Sequence, residues 1–257
     1  MRSALIQSVA RAMALINCMA EVPHPLSLQE ISQRAGLPKS TVHGLLSTLR
    51  EFAMVEQSAL DGRYRLGVRL FELGNIVSRS WDILTIARPH LHRIAHRLGE
   101  SVDLALLEDG EVLTIDHADA GAMLQVVTTV GARIPCHCCA LGKALLSHRL
   151  QAECEGIFRS RGMYAFTPHT VTRVNALLED LAEVRNRGYA VGNGEFRIGM
   201  RDVAAPVLDM QGVSRYALGV TGMFRRVTDD LFVQAQQLVM EAARAISYEL
   251  GYRTPCQ

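Results

Sequence analysis

The passage from Leu28 to Phe52 carries two amphipathic helical patterns joined by a glycine, a combination that folds as a helix-turn-helix. Ser27 and Glu30 form a Ser-x-x-Glu capping box, in which each side chain satisfies a free backbone N–H. Leu28, Ile31 and Ala35 then share one helical face. Gly36 supplies the turn and Pro38 sets the entry to a second helix. There Val42, Leu45, Leu46 and Leu49 recur at the spacing of one buried stripe. At about 100° per residue, Ser40, Gly44, Ser47 and Glu51 point away from that stripe, flanked by Thr41, His43 and Thr48. Lys39 stands at the helix start. A face this small, hydroxylic and imidazole-bearing suits a major groove, where it can bond base edges and phosphates.

The rest of the chain sets this unit in a globular protein. Its 257 residues are comfortable for two domains, and an apolar content of 49% supports real cores. The formal net charge is +1, but the charge is unevenly spread. Residues 1–75 hold 8 Lys+Arg against 6 Asp+Glu, the remainder 19 against 20, an asymmetry with the sign of a DNA-binding head. No apolar run reaches the roughly 18–20 residues of a membrane span, and no signal peptide is expected at the N-terminus. The cysteines at 18, 136, 138, 139, 154 and 256 do not form a secreted disulfide framework, because three of them crowd into four residues. The expected compartment is the cytoplasm, with no membrane partner.

Along the chain, residues 5–20 are expected to form a first helix with Leu5, Val9, Ala12, Met13 and Ile16 on its inner face. Met54–Gln57 and Arg63–Leu66 read as strands around an Asp61-Gly62 turn, so the helix-turn-helix is closed by a hairpin as in a winged helix. Arg63 and Arg65 lie beside the hairpin tip, where a wing meets phosphate or the minor groove. Leu70, Leu73, Ile76 and Val77 suggest a linker helix. Expected boundaries are 1–68 for the winged helix, 69–82 for the linker and 83–257 for a second domain. That domain reads as α+β: helices over Pro89–Leu98, Leu141–His148, Val174–Arg187 and Asp229–Leu250, strands over Val102–Leu107, Val112–Ala118, Val203–Leu208 and Tyr216–Thr221.

Three passages resemble the isocitrate lyase regulator (IclR) family of bacterial transcription regulators. They are Ser3–Leu15 with Gly36–His43, then Pro135–Leu146 (PCHCCALGKALL), and Gly194–Val207 (GEFRIGMRDVAAPV). The resemblance implies a winged-helix DNA-binding domain joined to a GAF-like effector domain, homodimers or homotetramers, and a small organic acid or related catabolite as effector. No cofactor is expected, and the residues offer no acid pair or nucleophile with a plausible base that would make an enzyme the leading reading. The family motifs place the effector site at Leu141, Gly142, Gly192, Met200, Asp202, Gly219 and Thr221. There a helix N-terminus would present free N–H groups to an anion. Two residues depart from the family pattern. Gly44 stands where a long basic residue is frequent, leaving readout to Lys39, Thr41, His43 and Ser47, or to a closer backbone. Asp202 stands where a cysteine or small neutral residue is common. It would repel an acid unless Arg201 or Arg133 offsets it, so hydroxyl or amine donors are expected on the effector.

Other readings compete. Cys136, Cys138 and Cys139 would make the protein a metal- or redox-responsive regulator, although adjacent ligands wrap one tetrahedral zinc ion poorly and Cys154 or His169 would be needed to complete a site. The simpler expectation is that Cys138 and Cys139 are core or pocket-lining residues. His90, His92 and His96 lie at helical spacing but beside Arg93 and Arg97, as on a solvated face. Gly192-x-Gly194 lacks the context of a nucleotide loop, and Arg225-Arg226 reads as a turn. An enzyme, or a ligand-binding module without DNA binding, is the alternative of another class.

Overall fold

The computed structural model describes residues 5–79, 81–119, 129–223 and 228–253, and the chain divides into two compact units, Met1–Trp81 and Asp82–Gln257. The Arg225-Arg226 pair and Cys256 lie outside the described residues.

In the first unit α1 (Gln7–Ala20), α2 (Leu28–Ala35) and α3 (Lys39–Glu51) precede β1 (Val55–Gln57), β2 (Tyr64–Leu66) and α4 (Val68–Arg79). The capping box forms at the start of α2: Ser27 N–H donates to Glu30 at 2.7 Å and Glu30 N–H to Ser27 Oγ at 3.3 Å. Gly36 ends α2 with φ 62°, a left-handed conformation that glycine adopts without steric cost. The wing pairs Val55 with Leu66 through Gln57 with Tyr64. Leu26 exchanges two backbone hydrogen bonds with Tyr64, at 2.9 and 2.7 Å, which ties the loop before α2 to the wing. The core is Leu15, Cys18, Met19, Leu26, Ile31, Val42, Leu46, Val55 and Tyr64.

The expected inner face of α1 is corrected. Leu5, Val9 and Met13 are exposed, Ala12 and Ile16 are half-buried, and the buried residues are Leu15, Cys18 and Met19. Only the C-terminal half of α1 contributes to the core, so a stripe read along its whole length selects the wrong side.

The second unit opens with α5 (Asp82–Leu98), which starts seven residues before the expected helix because Pro89 lies inside it. Pro89 is exposed, and the buried stripe Ile83, Leu84, Ala87, Leu91, Ile94 and Leu98 runs past it on the other face. A six-stranded antiparallel sheet follows, in the order β5-β4-β3-β8-β7-β6. Its strands are β3 (Ser101–Glu108), β4 (Glu111–Ala118), β5 (Arg133–Pro135), β6 (Ala190–Asn193), β7 (Met200–Leu208) and β8 (Ser214–Met223). Asp109 and Gly110, both at positive φ, make the two-residue hairpin turn between β3 and β4. One face of the sheet carries α9 (Asp229–Glu249); the other carries α6 (Ala140–Leu146), behind which lies α8 (Val174–Arg187). The helix α7 (Gln151–Arg161) and the strands β5 and β6 were not expected from the sequence: each is short or weakly patterned.

α6 is seven residues long and wholly buried, and its one charged residue anchors it. Lys143, 2% exposed, places Nζ 2.7 Å from Glu195 Oε1, 2.8 Å from Asp180 Oδ2 and 3.2 Å from the Val191 carbonyl. Burial alone would lower the Lys143 pKa, but Glu195 and Asp180 outweigh it and the ammonium is held above its ordinary value. Removing it leaves Glu195 buried without its partner. Lys143→Met is therefore expected to lower unfolding stability by about 3–5 kcal/mol, read as a drop in urea midpoint.

Candidate functional site

Two places in the molecule can carry function. The first is the outer face of α3. Val42 and Leu46 are buried and Leu45 and Leu49 half-buried, which leaves Lys39, Ser40, His43, Gly44 and Thr48 exposed and Thr41 and Ser47 half-exposed. The stripe expected from the sequence is thus the packed one, and the polar residues share the open side. Nothing lies within 4 Å of where a Cβ at Gly44 would stand, so no packing demand within the protein explains that glycine. Thr48 Oγ1 donates to the Gly44 carbonyl at 3.1 Å, and Lys39 Nζ to Gln29 Oε1 at 3.3 Å.

The wing arginines, expected beside the hairpin tip, each make ion pairs within the first unit. Arg63 runs back to the start of α2, donating to Glu30 at 3.2 Å and to the Pro25 carbonyl at 3.1 Å. Arg65 pairs with Glu56 at 2.7 Å across the hairpin. Each alternates with Tyr64, whose burial sends its neighbours to the opposite side of the strand.

The second place is a cavity of about 280 Å³ over the α6 face of the sheet. Its walls include Asp103, Thr114, Leu141, Glu195, Met200, Asp202 and Thr221, with Cys139 and Phe196 beside them. The exposed Arg133 and Arg197 stand at its solvent side. Strand register explains the convergence: Gly192, Asp202 and Thr221 lie opposite one another across β6, β7 and β8, and Ala204, Gly219, Asp103 and His117 form a second row. Side chains in such rows share a face.

Of the residues expected at the effector site, Leu141, Met200, Asp202 and Thr221 line this cavity. Gly142, Gly192 and Gly219 do not; each instead makes room for something else. A Cβ at Gly142 would fall on the Cys136 carbonyl, and one at Gly192 on the Asp202 carboxylate. One at Gly219 would press on Leu141 and Ala204, both 3.0 Å away. The α6 N-terminus is likewise not an open anion site: its Ala140 N–H already donates to Asp202 Oδ2 at 2.6 Å. Sequence reasoning missed Asp103, Thr114 and Glu195. The one available signal for Glu195 was Lys143, a charge inside an apolar helix that required a buried partner.

The electrostatics of the cavity are acidic. Burial raises the Asp202 pKa to about 6; the Ala140 N–H opposes the rise, Glu195 adds to it, and Lys143 subtracts. Arg201 gives no help, since it points to the other face, pairs with Asp229 at 2.7 Å and lies 3.7 Å over the Phe232 ring. Arg133 is shared with Glu111 at 3.6 Å. Asp103 Oδ1 holds His117 Nδ1 at 2.7 Å, and that bond raises the histidine pKa against the opposing effect of burial.

The cysteine cluster is buried. Burial pushes the Cys136 and Cys138 thiols up to about 12 and Cys139 well above its ordinary value, which disfavours the thiolate that metal binding and oxidation need. Cys139 lines the cavity and Cys136 and Cys138 sit in a short 3₁₀ turn beside it. Among the described residues, no group of three His, Cys, Asp or Glu is arranged to hold a metal ion.

Comparison with known proteins decides the family. The helix-turn-helix domain of IclR matches residues 8–59, and the C-terminal domain of the bacterial transcriptional regulator IclR matches residues 76–248. The chain belongs to the IclR family of transcriptional regulators. It is 30% identical to the transcriptional repressor IclR of Escherichia coli K12, covering 96% of this chain and 90% of that protein. It is 33% identical to the regulator XynR of the same organism, covering 96% and 98%. The crystal structure of an IclR regulator from Alicyclobacillus acidocaldarius superposes with a TM-score of 0.86 at 28% identity, over 96% of this chain and 100% of that one. An IclR homologue from Microbacterium hydrocarbonoxydans, solved in complex with 4-hydroxybenzoate, gives 0.83 at 27% identity, over 95% and 98%. This IclR-family chain is accordingly a DNA-binding regulator with an N-terminal winged helix and a C-terminal effector domain, α+β in class.

The Asp202 shift sets a pH signature. A carboxyl whose folded pKa lies above its unfolded value of 3.8 costs stability once both states are ionised, and that cost fades as pH falls from 6 towards 4. Asp202→Asn is expected to be more stable than the parent at pH 7–8, by on the order of 2 kcal/mol, and to lose the advantage by pH 4. Urea titrations at three pH values measure this.

Proposed function

We propose that this regulator controls a catabolic operon by binding operator DNA as a homodimer, or a homotetramer built from dimers, under the control of a small catabolite held in the cavity. The observation that carries the DNA reading is the open face of α3, where Lys39, Ser40, Thr41, His43, Gly44 and Ser47 converge with nothing packed over Gly44. Lys39 would contact phosphate and the smaller side chains base edges, the bare Gly44 backbone allowing close approach. Arg65 would flank the groove, while Arg63 braces the wing. Exposed apolar side chains at Leu5, Ile6, Val9 and Met13, and at Val68, Phe71, Ile76 and Val77, favour a second copy as cover.

Leu141, Met200, Asp202 and Thr221 would contact the effector, with Gly142, Gly192 and Gly219 shaping the wall. A relative bound to 4-hydroxybenzoate supports a small organic ligand in this domain, and a cavity of about 280 Å³ suits one. Effector binding alters DNA affinity by its differential affinity for the DNA-competent arrangement, and the reverse coupling is equal. The protein acts in the cytoplasm and is not an enzyme; no described helix is long and apolar enough to cross a membrane.

A gel-shift titration against the promoter region beside its own coding sequence tests the DNA reading. Lys39→Ala is expected to weaken binding across sequences and to reduce the salt slope by about one. An unchanged slope removes Lys39 from the interface. Gly44→Ala separates helix propensity from recognition: it is expected to stabilise the fold by roughly 1 kcal/mol while weakening operator binding, and tighter binding would contradict the close approach.

A further inference from the structure

Two residues that line the cavity each keep one carboxylate oxygen without a hydrogen-bond partner among the described residues. The Glu195 side chain is nine-tenths buried. Its Oε1 is taken by Lys143 at 2.7 Å, and its Oε2 is buried with no hydrogen-bond partner among the described residues. Asp202 spends Oδ2 on the Ala140 N–H, and among the described residues no donor reaches Oδ1. Both residues line the same cavity, and Thr221 stands directly across from Asp202 on β8. Glu195 Oε2 is the buried one of the two, and a buried acceptor without a partner is costly, a cost that a ligand donor reaching it would relieve.

We propose that the ligand of this cavity is recognised through hydrogen-bond donors, an ammonium group or neighbouring hydroxyls, that engage Asp202 and Glu195 together. The proposal rests on the reading of the cavity as the effector site and specifies what that site accepts. An acid without such donors is excluded from this end, because its carboxylate would face two others. A ligand carboxylate is tolerated only at the solvent side, towards Arg133 and Arg197. Amino acids and polyhydroxy acids satisfy both ends; plain keto or aromatic acids satisfy one.

Calorimetric titration of the full chain with L-serine, D-gluconate, pyruvate and benzoate tests this. L-Serine or D-gluconate is expected to bind at least tenfold more tightly than pyruvate or benzoate, and which of the two binds distinguishes amine from hydroxyl recognition. Asp202→Asn and Glu195→Gln, both close to isosteric, are each expected to weaken that binding at least tenfold. Asp202→Asn is also expected to narrow the gap to pyruvate, since the repelling charge is gone; it carries the test if Glu195→Gln fails to fold. Binding of pyruvate or benzoate as tight as that of the donor-bearing probes overturns the proposal, as does a failure of both donor-bearing probes to bind. Leu141→Trp, which fills the cavity, separates the two levels. If it abolishes tight benzoate binding, the site stands and the ligand class falls; if it leaves binding intact, the cavity is not the effector site.

Discussion

The effector domain depends on one buried ammonium. Lys143 Nζ lies between Glu195 and Asp180, and through them it fixes α6 to α8 and to the segment after β6. A helix of seven residues has no stability of its own and takes its place from what it packs against. With α6 fixed, Ala140 meets Asp202, Leu141 covers Gly219, and the cavity acquires a floor. The ion pair is therefore less a contribution to net stability than a device that specifies where α6 sits, the role for which buried charges are best suited.

The cavity walls are polar in a manner that does not favour the empty state. Glu195 is close enough to raise the cost of the Asp202 charge. A domain built this way leaves free energy for a bound molecule to recover, and that recovery adds to stability by mass action. It also separates this chain from a pocket lined with neutral side chains, in which shape alone would select the ligand.

Much of the first unit was legible because local signals agreed with one another. Ser27 and Glu30, Gly36 and the Asp61-Gly62 turn each specify a backbone conformation, and the α3 stripe repeats over four residues. The α1 face was misread because only half of that helix meets the core, and periodicity does not reveal where a neighbour ends. Pro89 looked like a helix start because its ring is tolerated on an exposed flank only once the partner face is known. In the second unit, Leu141, Asp202 and Thr221 came from motif resemblance, whereas Asp103 needed the sheet order that brings β3 beside β8, and Glu195 needed the buried Lys143 to be matched with a partner far along the chain. The glycines at 142, 192 and 219 stand at close approaches rather than in the cavity lining, and a close approach leaves no trace in sequence beyond the missing side chain.

The burial of Cys18, Cys136, Cys138, Cys139 and Cys154 has a use beyond packing. Free sulfur atoms screened from solvent act as internal clocks. The rate at which an alkylating reagent reaches them records how often each part of the native protein opens. Cys18 reports on the winged helix and Cys139 on the wall of the cavity, so one reagent can follow breathing in each of the two units without an added label.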